Sequence, residues 1–224
     1  MARQGLQRLK RLCFWYICNN MNLSSHLLES AVAAFTKLPG IGKKTALRLV
    51  LHLLKQEPSE VAHFSETVAR MREEIKFCST CYNISDHDQC SICKNALRKR
   101  DMVCVVESIR DVIAIESTEQ YNGLYHVLGG VISPLDGIGP DQLTIAPLAE
   151  RVVNEGINEV VFALSPTIQG DTTIYYIRKK LNKPDLKFTT IARGIAFGGE
   201  LEYADEMTLA KSIRNRLPVD SYIQ

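Results

Sequence analysis

Apolar residues recur at spacings of three and four along the first third of the chain. Leu28, Ala31, Val32 and Phe35 fall on one helical face, and Ser24 or Ser25 stands where a cap would start that helix. Pro39 and Gly40 end it. A second helix is predicted from near Lys43 through Ala46, Leu49, Val50 and Leu53 to about Lys55. A third begins after Pro58-Ser59, with Val61, Phe64, Val68, Met71 and Ile75 on one face. Past residue 100 the pattern changes. Short apolar runs at 102–106, 125–128, 160–164 and 188–191 read as buried strands, with helical patterns around 109–116, 141–155, 171–182 and 205–216. Strands alternating with helices predict an α/β domain with a mainly parallel sheet. Residues 78–95 fit neither period; they have turn composition and carry four cysteines. The predicted fold class is α+β and multi-module: a helical head, a small metal-binding module and an α/β body.

Composition sharpens this in three places. Hydrophobic residues make up 46% of the 224, which is enough for a core and argues against disorder. The formal net charge is only +2, so a nucleic-acid footprint must be local. No apolar run approaches the ~20 residues of a membrane span, so no membrane partner is expected and the location is read as cytoplasmic. Residues 1–20 differ from the rest: basic at Arg3, Arg8, Lys10 and Arg11, then aromatic, with Met21 following. Either they are a basic arm, or they are a disordered or upstream extension with the native start at Met21. The second is preferred.

Leu38-Pro39-Gly40-Ile41-Gly42-Lys43-Lys44-Thr45-Ala46 joins the first two helices. Gly40 and Gly42 permit a tight turn and close approach of a ligand. The second helix then presents its amide end and positive dipole end, which suits a phosphate. Lys43, Lys44 and Arg48 add charge, and Lys44 and Arg48 share a face. The pattern matches the helix-hairpin-helix motif, which grips the DNA backbone without reading bases. The alternative is an ordinary helix–helix connection punctuated by Pro and Gly.

The chain has seven cysteines, and Cys78, Cys81, Cys90 and Cys93 form two CxxC pairs. Each pair lets two thiolates reach one metal from a tight knuckle, and two knuckles complete a tetrahedral sulfur shell. Such a shell has no vacancy, so one structural Zn2+ per chain is expected. A redox CxxC, an iron–sulfur cluster and unligated core cysteines are the alternatives. His87, inside the loop, is expected in solvent.

In the α/β body Glu107 closes the first strand, Asp111 follows a turn later, and Asp171 lies beyond the strand at 160–164. Carboxylates at the C-terminal ends of parallel strands stand where such sheets place ligands or magnesium. From spacing alone, helix capping by Ser108, Asp111 and Asp171 is the better reading. Arg193-Gly194 and Gly198-Gly199, followed by acids, suggest a loop that meets a partner or a phosphate, and a plain glycine-rich connection between strand and helix is the equal alternative.

In order, LPGIGKKTALRL (38–49), C-x2-C-x8-C-x2-C (78–93), VCVVES (103–108), YHVLGGVISPLDGIGPDQL (125–143), ALSPTIQGDTT (163–173) and ARGIAFGGELEYADEMTLAKSI (192–213) resemble the RecR family, colinearly from about Met21. The resemblance implies an extension at 1–20, a helix-hairpin-helix head at 21–77, a four-cysteine zinc finger at 78–93, a Toprim-like domain at 101–196 and a C-terminal segment at 197–224. It implies a non-enzymatic DNA clamp and mediator of recombinational repair. That protein would act with RecO, and RecF, to place RecA on single-stranded DNA, as a dimer or ring-like tetramer binding single- and double-stranded DNA. By motif position Lys44 and Arg48 would contact DNA, and Glu107 and Asp171 would be partner-binding acids. Catalytic Toprim domains carry a D-x-D pair; here the element is Gln169-Gly170-Asp171, which removes one carboxylate that two-metal chemistry needs. A metal-dependent nuclease or topoisomerase-like enzyme is the rival class, and a purely structural zinc protein the third.

Overall fold

The computed structural model describes residues 25–181, 183–195 and 198–218; the extension at 1–20 and Met21 lie outside them. The chain divides into two compact units, the first ending at Glu73 and the second beginning at Glu74.

The first unit contains α1 (His26–Phe35), α2 (Lys43–Leu53) and most of α3 (Pro58–Glu74). Ser25 caps α1, its hydroxyl accepting from the Leu28 amide at 3.4 Å. Val32 of α1 packs with Ala46 and Val50 of α2, and Leu28, Ala31, Phe35, Ile41 and Leu47 close around them. Ala46 is fully buried, so a small residue marks the contact. α3 forms where its period predicts, but buries none of its residues. The expected apolar face stays open: Phe64, Val68, Met71 and Ile75 are 49%, 47%, 53% and 37% exposed.

The second unit opens with a two-stranded antiparallel ribbon, β1 (Lys76–Phe77) and β2 (Ile84–Ser85), and the one-turn helix α4 (Ser91–Lys94). Then come β3 (Met102–Val106), α5 (Ile109–Glu116), β4 (Leu124–Val127), α6 (Ile145–Asn154), β5 (Glu159–Ala163), α7 (Ile168–Lys180), β6 (Lys187–Thr190) and α8 (Glu206–Arg214). The sheet order is β4-β3-β5-β6, and every pairing is parallel. Alternation along the strands divides the core. Val103, Val105, Val160 and Phe162 join Leu148 and Val152 of α6 and Ile177 of α7. Cys104, Val106, Tyr125, Val127 and Ala163 face the other way, where Val112 of α5 packs with Tyr82 and Ile92 of the cysteine module.

Two helix starts depart from the periodicity for local reasons. α6 begins at Ile145, not near residue 141, because Pro140–Gln142 form a short 3-10 turn and the Thr144 hydroxyl is tied to the Val127 carbonyl at 2.7 Å. α7 begins three residues early at Ile168, because Thr167 caps it by accepting from the Gly170 amide at 3.1 Å. Gly170 is needed there: a Cβ would lie 2.0 Å from the Ser165 carbonyl oxygen. From β3 the chain moves outward to β4, then returns past β3 to β5 and β6. The order thus reverses between β3 and β5, and the C-terminal ends of those strands are where an open parallel sheet leaves a crevice.

Candidate nucleic-acid interface and metal centre

The hairpin between α1 and α2 is shaped by Gly40, whose φ of 79° is left-handed. The Ile41 amide donates to the Leu38 carbonyl at 3.2 Å, and the Ile41 side chain packs into the core of the head. The turn is therefore fixed from beneath. Gly42 is the N-cap of α2 and brings no side-chain oxygen to its first amides, the partner that Ser, Thr or Asp would supply. Lys43, Lys44 and Arg48 are exposed. Among the described residues neither Lys44 nor Arg48 pairs with a carboxylate. A helix start of this kind, flanked by cations, can receive a phosphate.

The four predicted thiols converge. Cys78, Cys81, Cys90 and Cys93 are 0–5% exposed, and their sulfurs lie within 4.8 Å of one another. Tetrahedral zinc with Zn–S near 2.3 Å needs sulfurs about 3.8 Å apart, and Cys81 and Cys90 Sγ stand at 3.5 Å. Tyr82, at a left-handed φ of 63°, makes the first knuckle. Backbone amides already point at the sulfurs: Cys90 donates to Cys78 Sγ at 3.3 Å and Cys93 to Cys90 Sγ at 3.5 Å. Hydrogen bonding with Cys90 and Cys93, together with burial, pushes the Cys81 thiol far up, while bonds from Cys81 and Cys93 pull Cys90 down to about 2. Four converging sulfurs are the donor set of a closed zinc site, in which the dication would favour the thiolate form of each ligand, so the residues fit zinc. His87 is exposed and outside the cluster.

The cysteine module is bound firmly to the sheet. The Val127 amide of β4 donates to the Cys81 carbonyl at 2.9 Å, and the Tyr82 ring meets His126 edge-on at 5.4 Å. Arg100 donates to the Cys93 carbonyl at 3.2 Å. Arg98, just after the module, forms a bidentate pair with Glu116 of α5, and the Tyr125 hydroxyl donates to the same carboxylate at 2.7 Å. Arg98 first, and Tyr125 as well, holds the Glu116 carboxyl below its usual range. Sequence reasoning missed this network and Tyr82; the only signal was aromatic and charged residues beside cysteines and strand ends.

The acids of the body have separate tasks. Glu107 follows β3 and accepts from the Ser165 amide beyond β5 at 2.5 Å, bridging the crevice. Asp111 accepts from the Ser108 amide and hydroxyl at 2.7 and 3.0 Å, which is the capping role spacing favoured. Asp171, in the first turn of α7, pairs with Arg193 at 2.7 Å, and this holds its carboxyl below the usual range. Among the described residues, the four cysteines are the one group of three or more side chains close enough to share a metal.

Comparison with known proteins agrees in every module. The RecR helix-hairpin-helix family matches residues 28–72, the RecR four-cysteine zinc finger domain 75–95, the Toprim domain 101–192 and the RecR C-terminal family 194–217. The chain is similar to the recombination protein RecR of Bacteroides fragilis, 57% identical over 197 residues that cover 88% of this chain and 96% of that one. RecR of Flavobacterium johnsoniae is 54% identical over 200 residues, 89% and 97% of the two chains. RecR of Porphyromonas gingivalis is 54% identical over 193 residues, 86% and 93%. With the hairpin, the cysteine tetrad and the parallel sheet in the same order, this chain belongs to the RecR family.

Proposed function

We propose that this chain is a non-enzymatic DNA-binding clamp and mediator of recombinational repair. It binds single- and double-stranded DNA through the phosphate backbone and acts with RecO, and RecF, to promote RecA loading. The observation that carries this is the rigid glycine hairpin of the head, with Gly40 and Gly42 shaping it and Lys43, Lys44 and Arg48 exposed around it. One structural zinc per chain holds the cysteine module. Glu107 and Asp171 form the acidic ground of a partner surface. Metal catalysis is disfavoured because Gln169 replaces a carboxylate, Asp111 caps a helix and Asp171 is paired with Arg193. Self-association into dimers or rings is supported by α3, whose stripe of half-buried Val61 and exposed Phe64, Val68 and Met71 repeats at spacings of three and four, the pattern of a helix–helix seam. The location is cytoplasmic; no described helix is long and apolar enough to cross a membrane.

The test is salt-dependent binding by fluorescence anisotropy. Lys44→Ala with Arg48→Ala should weaken binding alike for unrelated sequences. It should also flatten the plot of log affinity against log salt by about 0.9 per lost phosphate contact on duplex and about 0.7 on single strands. Unchanged affinity and slope in the double variant overturn the assignment.

A further inference from the structure

The cationic surface of the head does not stop at the hairpin. Lys44, Leu47, Arg48, Leu51, His52 and Lys55 line one open groove of about 450 Å³ along α2 and just past its end. Their spacing follows the helical period, so they form a single stripe. Lys44, Arg48, His52 and Lys55 are exposed, as is Leu51 at 43%. Acids are absent from the sequence between Glu29 and Glu57, and among the described residues Lys55, like Lys44 and Arg48, has no carboxylate partner. In a chain of net charge +2, an acid-free helix with three unpaired cations on one face is a concentrated positive field. His52, which lies within 3.3 Å of the Gln56 amide nitrogen, adds a polar group to the same face.

We propose that the backbone of one DNA strand runs along this stripe from the hairpin to Lys55, making Lys55 a phosphate contact and α2 a track for the strand. The inference rests on the DNA-binding reading of the hairpin and extends it to the far end of the helix. At 1.5 Å per residue, Lys44 and Lys55 are separated by about 16 Å along the helix axis. Successive phosphates of one strand stand farther apart along the backbone than their advance of about 3.4 Å along the duplex axis, and the stripe is long enough to meet more than one of them. Charge complementarity identifies the occupant: the groove offers cations and imidazole at its rim, with Leu47 and Leu51 between. A sugar–phosphate chain presents anions at its edge with less polar sugar between them. Contacts of this kind position the strand without reading its sequence.

The experiment compares Lys55→Gln with the Lys44→Gln and Arg48→Gln double variant, in the full chain, on fluorescent oligothymidine and on a duplex of equal length. Circular dichroism melts check that each variant is folded. Lys55→Gln should lower the salt slope by about 0.9 on duplex and about 0.7 on oligothymidine, one phosphate contact in each case. Leu51→Glu should weaken binding to both probes more than Leu51→Gln, because only the former places an anion in the groove. If Lys55→Gln leaves slope and affinity unchanged while the double variant loses both, the extension is overturned and the hairpin reading stands. If neither changes binding, the hairpin reading fails and the extension with it.

Discussion

His126 is the clearest case in which burial sets a measurable energy. Its ring is inaccessible to solvent. Nε2 donates to the Thr144 carbonyl at 2.8 Å, and Nδ1 has no partner. Burial first, and the nearby Arg151 guanidinium as well, hold the imidazole down to about 4, with the bond to Thr144 opposing them. The ordinary value is about 6.5. The folded chain therefore binds fewer protons than the unfolded chain between those values, and stability falls as pH falls through that window. At about pH 5 the loss from this group is about 2 kcal/mol relative to neutral pH, approaching about 3 kcal/mol below pH 4. Urea melts followed by circular dichroism at several pH values give the total slope. Acid also weakens a thiolate metal site, so the informative quantity is the difference from His126→Gln, which can still donate to Thr144 and does not titrate here. The natural chain should lose about 2 kcal/mol more than the variant between neutral pH and about pH 5. Parallel losses in the two proteins would refute the reasoning.

Two further predictions concern the metal centre and the sheet. Metal analysis should find one zinc per chain, and chelation or Cys81→Ser should remove it and lower the melting temperature of the second unit, since ligation energy is folding energy for such a site; zinc-free protein with an unchanged melt would contradict this. Gly170→Ala places a methyl group against the Ser165 carbonyl, where the nearest backbone atom stands at 2.0 Å, and should destabilise by about 1–3 kcal/mol in denaturant titration, with a neutral effect counting against the close approach of α7.

Much of the α/β body was legible because its signals are local. The run Met102–Val106 is fully apolar or sulfur-bearing and is bounded by Asp101 and Glu107, and Ser108 with Asp111 marks the start of α5. The two CxxC pairs carry their own spacing. Other features depend on contacts distant in sequence. Nothing near Glu116 announces that Arg98 and Tyr125 share its carboxylate, nor does the chain around Asp171 announce Arg193. The periodicity of α3 predicted a helix and its apolar stripe correctly, but period alone does not say whether such a stripe is covered. The stripe on α2 was half visible: Lys44 and Arg48 stand beside the glycine motif, whereas Lys55 is separated from it by an apolar run that hides the shared face.

The bond from Val127 to Cys81 has a consequence for aggregation. β4 is the outermost strand on its side, and an outer strand with open amides and carbonyls is a template for another chain. Here three of those groups are occupied by other parts of the same chain: the Cys81 carbonyl takes the Val127 amide, the Thr144 hydroxyl takes the Val127 carbonyl, and Arg151 takes the Tyr125 carbonyl at 2.6 Å. The cysteine knuckle and the helix α6 together thus stand in for a fifth strand. Loss of metal would loosen the knuckle and uncover the Val127 amide beside an apolar strand, turning a guarded margin of the sheet into a site for intermolecular pairing.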